Sequence, residues 1–354
     1  MSINKPEAKP AVKPGKPWAS TPRERALDLG AILLAAVGSF ALVALSELKG
    51  KLAYAGVFFV LIIVINFIHN YLSRGIASAK DSVASSFAVA GVLVTLLPIT
   101  SILYAVFERG KTGLKPNLFT TDMKLNGPND PIDQGGLLHA LTGSGIMVGI
   151  ALIISLPIGI LTAIYLTEIK GFFTRPIKFL VQAMSGVPSI VAGLFILSAI
   201  VFPITKTPSG LMGGLALAIL MIPTVARTSE EVLLLIPADL REAGIALGGT
   251  QWRTISQIVV PAAKSGLITA IILGVARVAG ETAPLVLVSG GGDVLNLNPT
   301  SGPMGSFPFY IWKAFTFGTT ESIARAWAGI FVLLVLIFIL FFAARLLGGD
   351  RNKK

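Results

Sequence analysis

Cysteine is absent from the chain. Disulfides and thiolate metal sites are therefore excluded, and compartment is left open. Histidine is nearly absent. His69 and His139 lie near the ends of apolar runs with no metal-ligand spacing around them, so both read as interfacial packing residues. Charge is scarce as well. Only 13% of the residues are charged, against 53% hydrophobic, whereas a soluble domain carries about 25% charged residues. So little charge does not cover a water-facing surface. A bilayer accounts for the shortage, because lipid tails solvate apolar side chains.

Negative charge is the scarcer sign: 18 Asp and Glu against 29 Lys and Arg, a net charge of +11. A basic balance suits nucleic acid or a membrane surface. Here the basic residues fall in short segments between long apolar runs, which is the positive-inside pattern and not a nucleic-acid patch.

A helix that crosses the hydrocarbon needs about 20 mostly apolar residues. Eight stretches qualify: 26–45, 52–72, 83–107, 137–166, 177–202, 210–236, 262–288 and 324–347. Backbone groups in lipid must bond internally, so each is predicted as a helix. The fold class is all-α integral membrane, with about eight transmembrane helices. Residues 1–25 differ in kind: Lys-Pro recurs four times from Lys5-Pro6 to Lys16-Pro17. Such a segment is expected to stay extended or disordered. The first apolar run starts late for a signal peptide and is read as an uncleaved span.

Lysine and arginine in the loops set the orientation. The basic tail places the N-terminus in the cytoplasm, and an even number of spans returns the C-terminus there. Segments 108–136 and 289–323 are then outside. The loops with Lys170, Arg175 and Lys178, and with Arg241 and Arg253, are inside. Small and kinking residues recur within the spans, including the pair Gly145 and Gly149 and the prolines Pro157, Pro188, Pro223 and Pro284. They suit close helix approach, kinks or cavity lining.

Between the sixth and seventh stretches the sequence reads Glu242-Ala243-Gly244-Ile245-Ala246-Leu247-Gly248, then nine residues, then Ile258-Val259-Val260-Pro261. Residues 239–247 have a helical period that puts Leu240, Ala243 and Leu247 on one face. Gly248-Gly249 permits a sharp turn, and 252–259 forms a second short helix before Pro261. A stiff helix-turn-helix is expected to protrude inward. The spacing resembles the EAA loop of ABC importer permeases, with Gly244 in place of the usual Ala and Val260 in place of Leu. A nucleotide-binding P-loop is missing: the lookalike Gly110-Lys111-Thr112 has Ala105 where the first glycine is needed.

Charges also lie inside the predicted spans: Arg227, followed by Glu230 and Glu231, and Arg277, with Glu281 four residues on. An arginine in the bilayer centre costs about 2.5–3.5 kcal/mol on insertion scales, so it should face a partner or a wet cavity. Spacing of four puts Arg277 and Glu281 on one helix face. Two readings stay open. The pair neutralise each other, or the planar guanidinium forms a station for an anion.

The segment from Arg277 to Leu285, reading R-V-A-G-E-T-A-P-L, resembles the R-x-A-G-E-T-A-P-L segment of the phosphate-specific permeases. Residues 185–195 and 222–228 resemble the same family. This resemblance implies a six-helix type I ABC importer permease core over 83–347, preceded by an additional hairpin over 26–82 and followed by a cytoplasmic tail over 348–354. It implies a substrate path with Arg277, Glu281, Arg227 and Glu230. It implies an ATPase-coupling loop with Glu242, Ala243, Gly244, Gly248, Ile258 and Pro261. The chain itself is then a non-catalytic subunit in the bacterial plasma (inner) membrane that binds no cofactor, while ATP and Mg are used by a partner ATPase. The implied partners are a homologous permease subunit (PstC), an ATPase dimer (PstB), a phosphate-binding protein (PstS) and membrane lipid. A permease for sulfate or molybdate, a secondary anion transporter and a non-transporting scaffold are the alternatives.

Overall fold

The structure is a computed structural model that describes residues 22–46 and 48–348. The expected Lys-Pro tail up to residue 21 and the end of the C-terminal tail, 349–354, lie outside the described residues. Among the described residues the chain is helical apart from turns and one isolated bridge between Gly290 and Met304. Six helices are long and apolar enough to cross a membrane, and two bent pairs bring the number to eight.

The chain divides into two units at Ser101 and Ile102. The first contains α1 (Pro22–Leu45), α2 (Lys51–Arg74) and the beginning of α3 (Ile76–Gly110). The helix α1 starts at Pro22, before the expected start at 26, because proline suits a first helical turn. Phe40 stacks on Tyr54 with ring centroids 6.1 Å apart, and Phe59 meets Phe87 edge-on at 5.5 Å. Leu29, Leu33 and Val37 are exposed, as expected of a surface solvated by lipid.

In the second unit, α5 (Leu138–Ile164) packs along α8 (Gly210–Leu234), the most enclosed of the long helices. Lipid tails are as apolar as leucine, so close backbone approach drives this packing. Gly213 faces Met147, and a Cβ at Gly214 or Gly159 would lie 2.7 Å from Ile150 or 2.8 Å from Val225. Gly145 and Gly149, the pair singled out by spacing, have open space on their Cβ sides. The close helix contact therefore uses other glycines.

Two predicted spans are not single helices. The stretch 177–202 is broken between α6 (Thr174–Ser185) and α7 (Ser189–Ile196), whose continuation, Leu197–Thr205, is wound as a π-helix. The bend is 104°. Gly186 ends α6, and Pro188 keeps the preceding residue out of the helical region. The stretch 262–288 is divided as well. It bends by 72° at Ala263, between the segment ending in α11 (Val260–Ala262) and α12 (Lys264–Ala279). It is then interrupted at 280–282 before α13 (Ala283–Val288), whose first turn contains Pro284.

At one end of this unit the segments 111–137 and 289–319 form a cap that contains α4 (Asn117–Thr120) and α14 (Phe307–Phe317). The Met123 amide donates to the Asp293 carbonyl at 3.0 Å, and the Leu295 amide donates to Asp122 Oδ2 at 2.9 Å. His139 is buried there with its ring edge-on to Tyr310. The last helix, α15 (Thr320–Gly348), leaves the cap and packs against α12.

Candidate coupling loop and anion path

At the end opposite the cap, the helix-turn-helix forms as the periodicity predicts. The first helix, α9, spans Ala238–Ala246. The second begins with α10 (Gln251–Thr254) and continues as a π-helix over Ile255–Val259. Thr250 caps it by accepting from the Arg253 amide at 3.3 Å. Gly248 makes the turn at φ +83°, a left-handed conformation that costs a side-chain-bearing residue about 1 kcal/mol or more. Gly244 is the buried contact of α9. A Cβ there would lie 2.7 Å from Thr254 Cγ2 and 2.8 Å from Ile258 Cδ1. The departure from the usual alanine therefore tightens the elbow.

Glu242, Ala243 and Pro261 are exposed, and Ile258 is half-buried. Leu240, Ala243 and Leu247 share the outer face, and Leu247 is 87% exposed. Trp252 is exposed beside them in the sequence of the second helix.

The elbow is tied to the bundle by a clamp that the sequence did not announce. The Arg241 guanidinium grips both oxygens of Glu168, at 2.8 Å from Nη2 and 2.9 Å from Nε. It also donates to the Ile236 and Leu233 carbonyls at 2.6 and 2.9 Å, which closes the last turn of α8. Gln251 donates to the Glu168 carbonyl at 2.8 Å. Glu168 lies in the π-helical turn Tyr165–Ile169 that ends the α5 span. The hydrogen bond to the Glu168 carboxylate holds the Arg241 guanidinium above its ordinary pKa. An acid and an arginine just beyond the ends of two apolar stretches were the only signal available. Spacing does not reveal a contact across 73 residues.

Arg277 lies near the end of α12 and is exposed on this chain. Its Nη1 donates to Thr224 Oγ1 of α8 at 2.9 Å. The expected Arg277–Glu281 helix-face pair does not form. The α-helix stops at Ala279, Gly280 caps it, and Glu281 stands beyond the end. Arg227, one turn from Thr224, is exposed and pairs with Glu231 at 3.5 Å. Glu230 is buried and turned toward α6, where Lys178 reaches it at 3.2 Å. Arg277 and Arg227 are thus brought to one stretch of α8, Glu281 sits at the helix break, and Glu230 serves another contact. Thr224 was not singled out in advance, because a threonine in a span is ordinary until its partner is seen.

The segments around 190 and 284 also meet. A Cβ on Gly193 of α7 would lie 2.7 Å from Pro284 Cα of α13. The two broken spans therefore touch backbone to backbone beside the break that carries Glu281.

Residues 155–352 match the family model of the binding-protein-dependent transport system inner membrane component. The match contains both the elbow and Arg277. The phosphate transport system permease protein PstA 1 of Mycobacterium tuberculosis (strain CDC 1551 / Oshkosh) is 36% identical over 269 residues, 76% of this chain and 88% of that protein. The chain belongs to the PstA family. The PstA of Haemophilus influenzae is 38% identical over 70% of this chain and 86% of its own length. In Methanocaldococcus jannaschii, a probable phosphate transport system permease protein PstA is 32% identical over 77% of this chain and 95% of its own length. Among solved structures, the MetNI methionine ABC transporter in an inward-facing form aligns at 20% identity over 60% of this chain and 93% of that chain, with a TM-score of 0.47. As a PstA-family member the chain is a multi-pass permease subunit.

Proposed function

We propose that this chain is one of two membrane-spanning subunits of an ATP-driven importer of inorganic phosphate in the bacterial plasma membrane, with both termini cytoplasmic. The observation that carries this reading is Arg277. A guanidinium is held by one hydrogen bond to Thr224, beside an interrupted span, in a PstA-family chain. Its remaining donors are a fork matched to oxyanion oxygens. Exposure on the isolated subunit suits a path enclosed by a second, homologous permease subunit.

Alternating access then needs no covalent chemistry. A phosphate-binding protein delivers substrate at the cap. Arg277 and Arg227 give the anion a transient station, and Glu281 keeps the attraction weak enough for release. Two ATPase subunits close on ATP and Mg, and the exposed face of α9 with Glu242 and Ala243 passes the motion to the elbow. Gly248 shapes the turn of that elbow, and Gly244, Ile258 and Pro261 join it to the bundle. A ligand shifts such an equilibrium only through unequal affinity for the two states, so tight binding in both stalls transport.

The test is phosphate uptake into liposomes holding the assembled transporter. Phosphate-dependent, ATP-dependent uptake is expected, with little competition from sulfate or molybdate. Uptake that persists without ATP while an ion gradient is maintained sinks the reading, and preferential competition by sulfate or molybdate moves the substrate to another oxyanion.

A further inference from the structure

The turn that joins the α5 span to α6 carries groups that neither the elbow nor the path along α8 and α12 uses. Lys170 ends the π-helical turn in a left-handed conformation, φ +51°, with its amide donating to the Tyr165 carbonyl at 3.0 Å. The Tyr165 hydroxyl accepts from the Phe173 amide at 3.1 Å, and the Thr174 hydroxyl donates to the Gly171 carbonyl at 2.8 Å. Gly171 lies against the same tyrosine: a Cβ there would be 2.6 Å from its hydroxyl. The backbone of the turn is therefore pinned, while its two rings are left uncovered. Phe172 is 89% exposed, Phe173 is exposed beside it, and the rings meet edge-on at 5.2 Å. Phe179 and Leu180 of α6 are exposed as well. So many large apolar side chains in one short stretch mark an interaction surface.

The faces of α6 sort by chemistry. At about 3.6 residues per turn, Ile177, Val181 and Met184 share the covered side, and α6 packs on α8. Pro176, Leu180 and Ala183 fall on one flank of that side, and Arg175, Lys178 and Gln182 on the other; all six are exposed. The helix also lies at 104° to the apolar segment Ser189–Thr205 that follows it. A helix turned nearly at right angles to a spanning segment runs along the membrane surface, where an apolar flank meets lipid and a basic flank meets headgroups and water. Lys178 is committed to Glu230. Among the described residues Lys170 and Arg175 have no carboxylate partner. Two free cations beside exposed aromatic rings are complementary to an anionic phospholipid, whose phosphate sits next to its acyl chains.

We infer that the 170–173 turn and the Pro176–Leu180 flank of α6 dock on anionic phospholipid in the leaflet nearest the elbow. Phe172 and Phe173 enter the upper acyl chains, and Lys170 and Arg175 take headgroup phosphates. Glu168, two residues before Lys170, is thereby held at the membrane surface while it grips Arg241, so the elbow works against a lipid-anchored base. The inference stands apart from the reading of Arg277.

The test places one fluorophore on Phe172→Cys, the sole thiol in the chain, in nanodiscs holding either the full chain or the assembled transporter. Brominated phosphatidylglycerol should quench it at a several-fold lower lipid fraction than brominated phosphatidylcholine. Lys170→Gln combined with Arg175→Gln removes two cations, each contributing about fivefold to anionic-lipid preference, and should bring the two lipids close to parity. The same fluorophore on Gln182→Cys, on the basic flank, should be quenched by aqueous iodide and not by brominated lipid, which shows that the dye does not seek lipid by itself. No lipid quenching at position 172, lipid quenching at both positions, equal quenching by the two lipids before the cations are removed, or a preference that survives their removal each overturns the inference. Quenching seen with the chain alone and lost in the assembled transporter gives the face to a partner subunit and overturns it too.

Discussion

Arg277 and Glu281 show how far a single residue's role depends on where its helix ends. Four residues apart, they form a neutral pair on a continuous helix; with Gly280 as the cap, Glu281 is released and Arg277 turns to Thr224. Mutual neutralisation through a shared helix face is thereby lost, and the anion-station reading gains. Arg277→Gln keeps a hydrogen-bond donor for Thr224 and removes the charge. Phosphate uptake by the reconstituted transporter should fall to background while co-purification with partner subunits is unchanged; full uptake by the variant removes the station. Gly248 is a different case, legible from the sequence because a Gly-Gly pair between two short helices has few other uses. Its φ of +83° confirms the turn. Gly248→Leu should cost about 1 kcal/mol or more in local stability. It should also lower phosphate-stimulated ATP hydrolysis; hydrolysis unchanged in rate and stimulation speaks against the elbow as the coupling part.

At the scale of elements, the periodicity located each long helix but not the breaks in two of them. Gly186 and Pro188 were visible, and so were Gly280 and Pro284. A proline within an apolar run is compatible with a continuous helix, as Pro157 in α5 and Pro223 in α8 demonstrate. Whether the helix breaks depends on neighbours: α7 meets α13 through Gly193 and Pro284, which rewards the bend. The same limit hid the Arg241–Glu168 clamp. Glu168 is 6% exposed in its side chain and Arg241 25%, so removing one partner strands a nearly buried charge, at a cost of about 3 kcal/mol. Glu168→Gln should lower the unfolding midpoint and weaken coupling between ATP hydrolysis and uptake. A double-mutant cycle with Arg241→Met should give a coupling energy above about 1 kcal/mol. Additive effects indicate that the clamp carries no load between α9 and α5.

At the scale of the whole molecule, the absence of cysteine is an experimental advantage, because any introduced thiol is alone. Leu125 in the cap is 90% exposed and Leu247 on the elbow 87%. Leu125→Cys should react with a membrane-impermeant thiol reagent in intact spheroplasts, and Leu247→Cys only after permeabilisation. Labelling of both from the same side reverses or breaks the proposed topology. The sequence by itself determined that the chain lives in a bilayer, how many apolar segments it has, where the elbow lies and which family it joins. The first three follow from composition and from short-range patterns, where periodicity and turn chemistry act; the family follows from the resemblance of the Arg277–Leu285 segment and the elbow to known motifs. Only the tertiary structure decided which glycines seat α5 on α8, where two spans break, and that Arg277 is held by Thr224. Each of those depends on side chains from distant segments meeting at a few ångströms, and local propensity carries no record of such meetings.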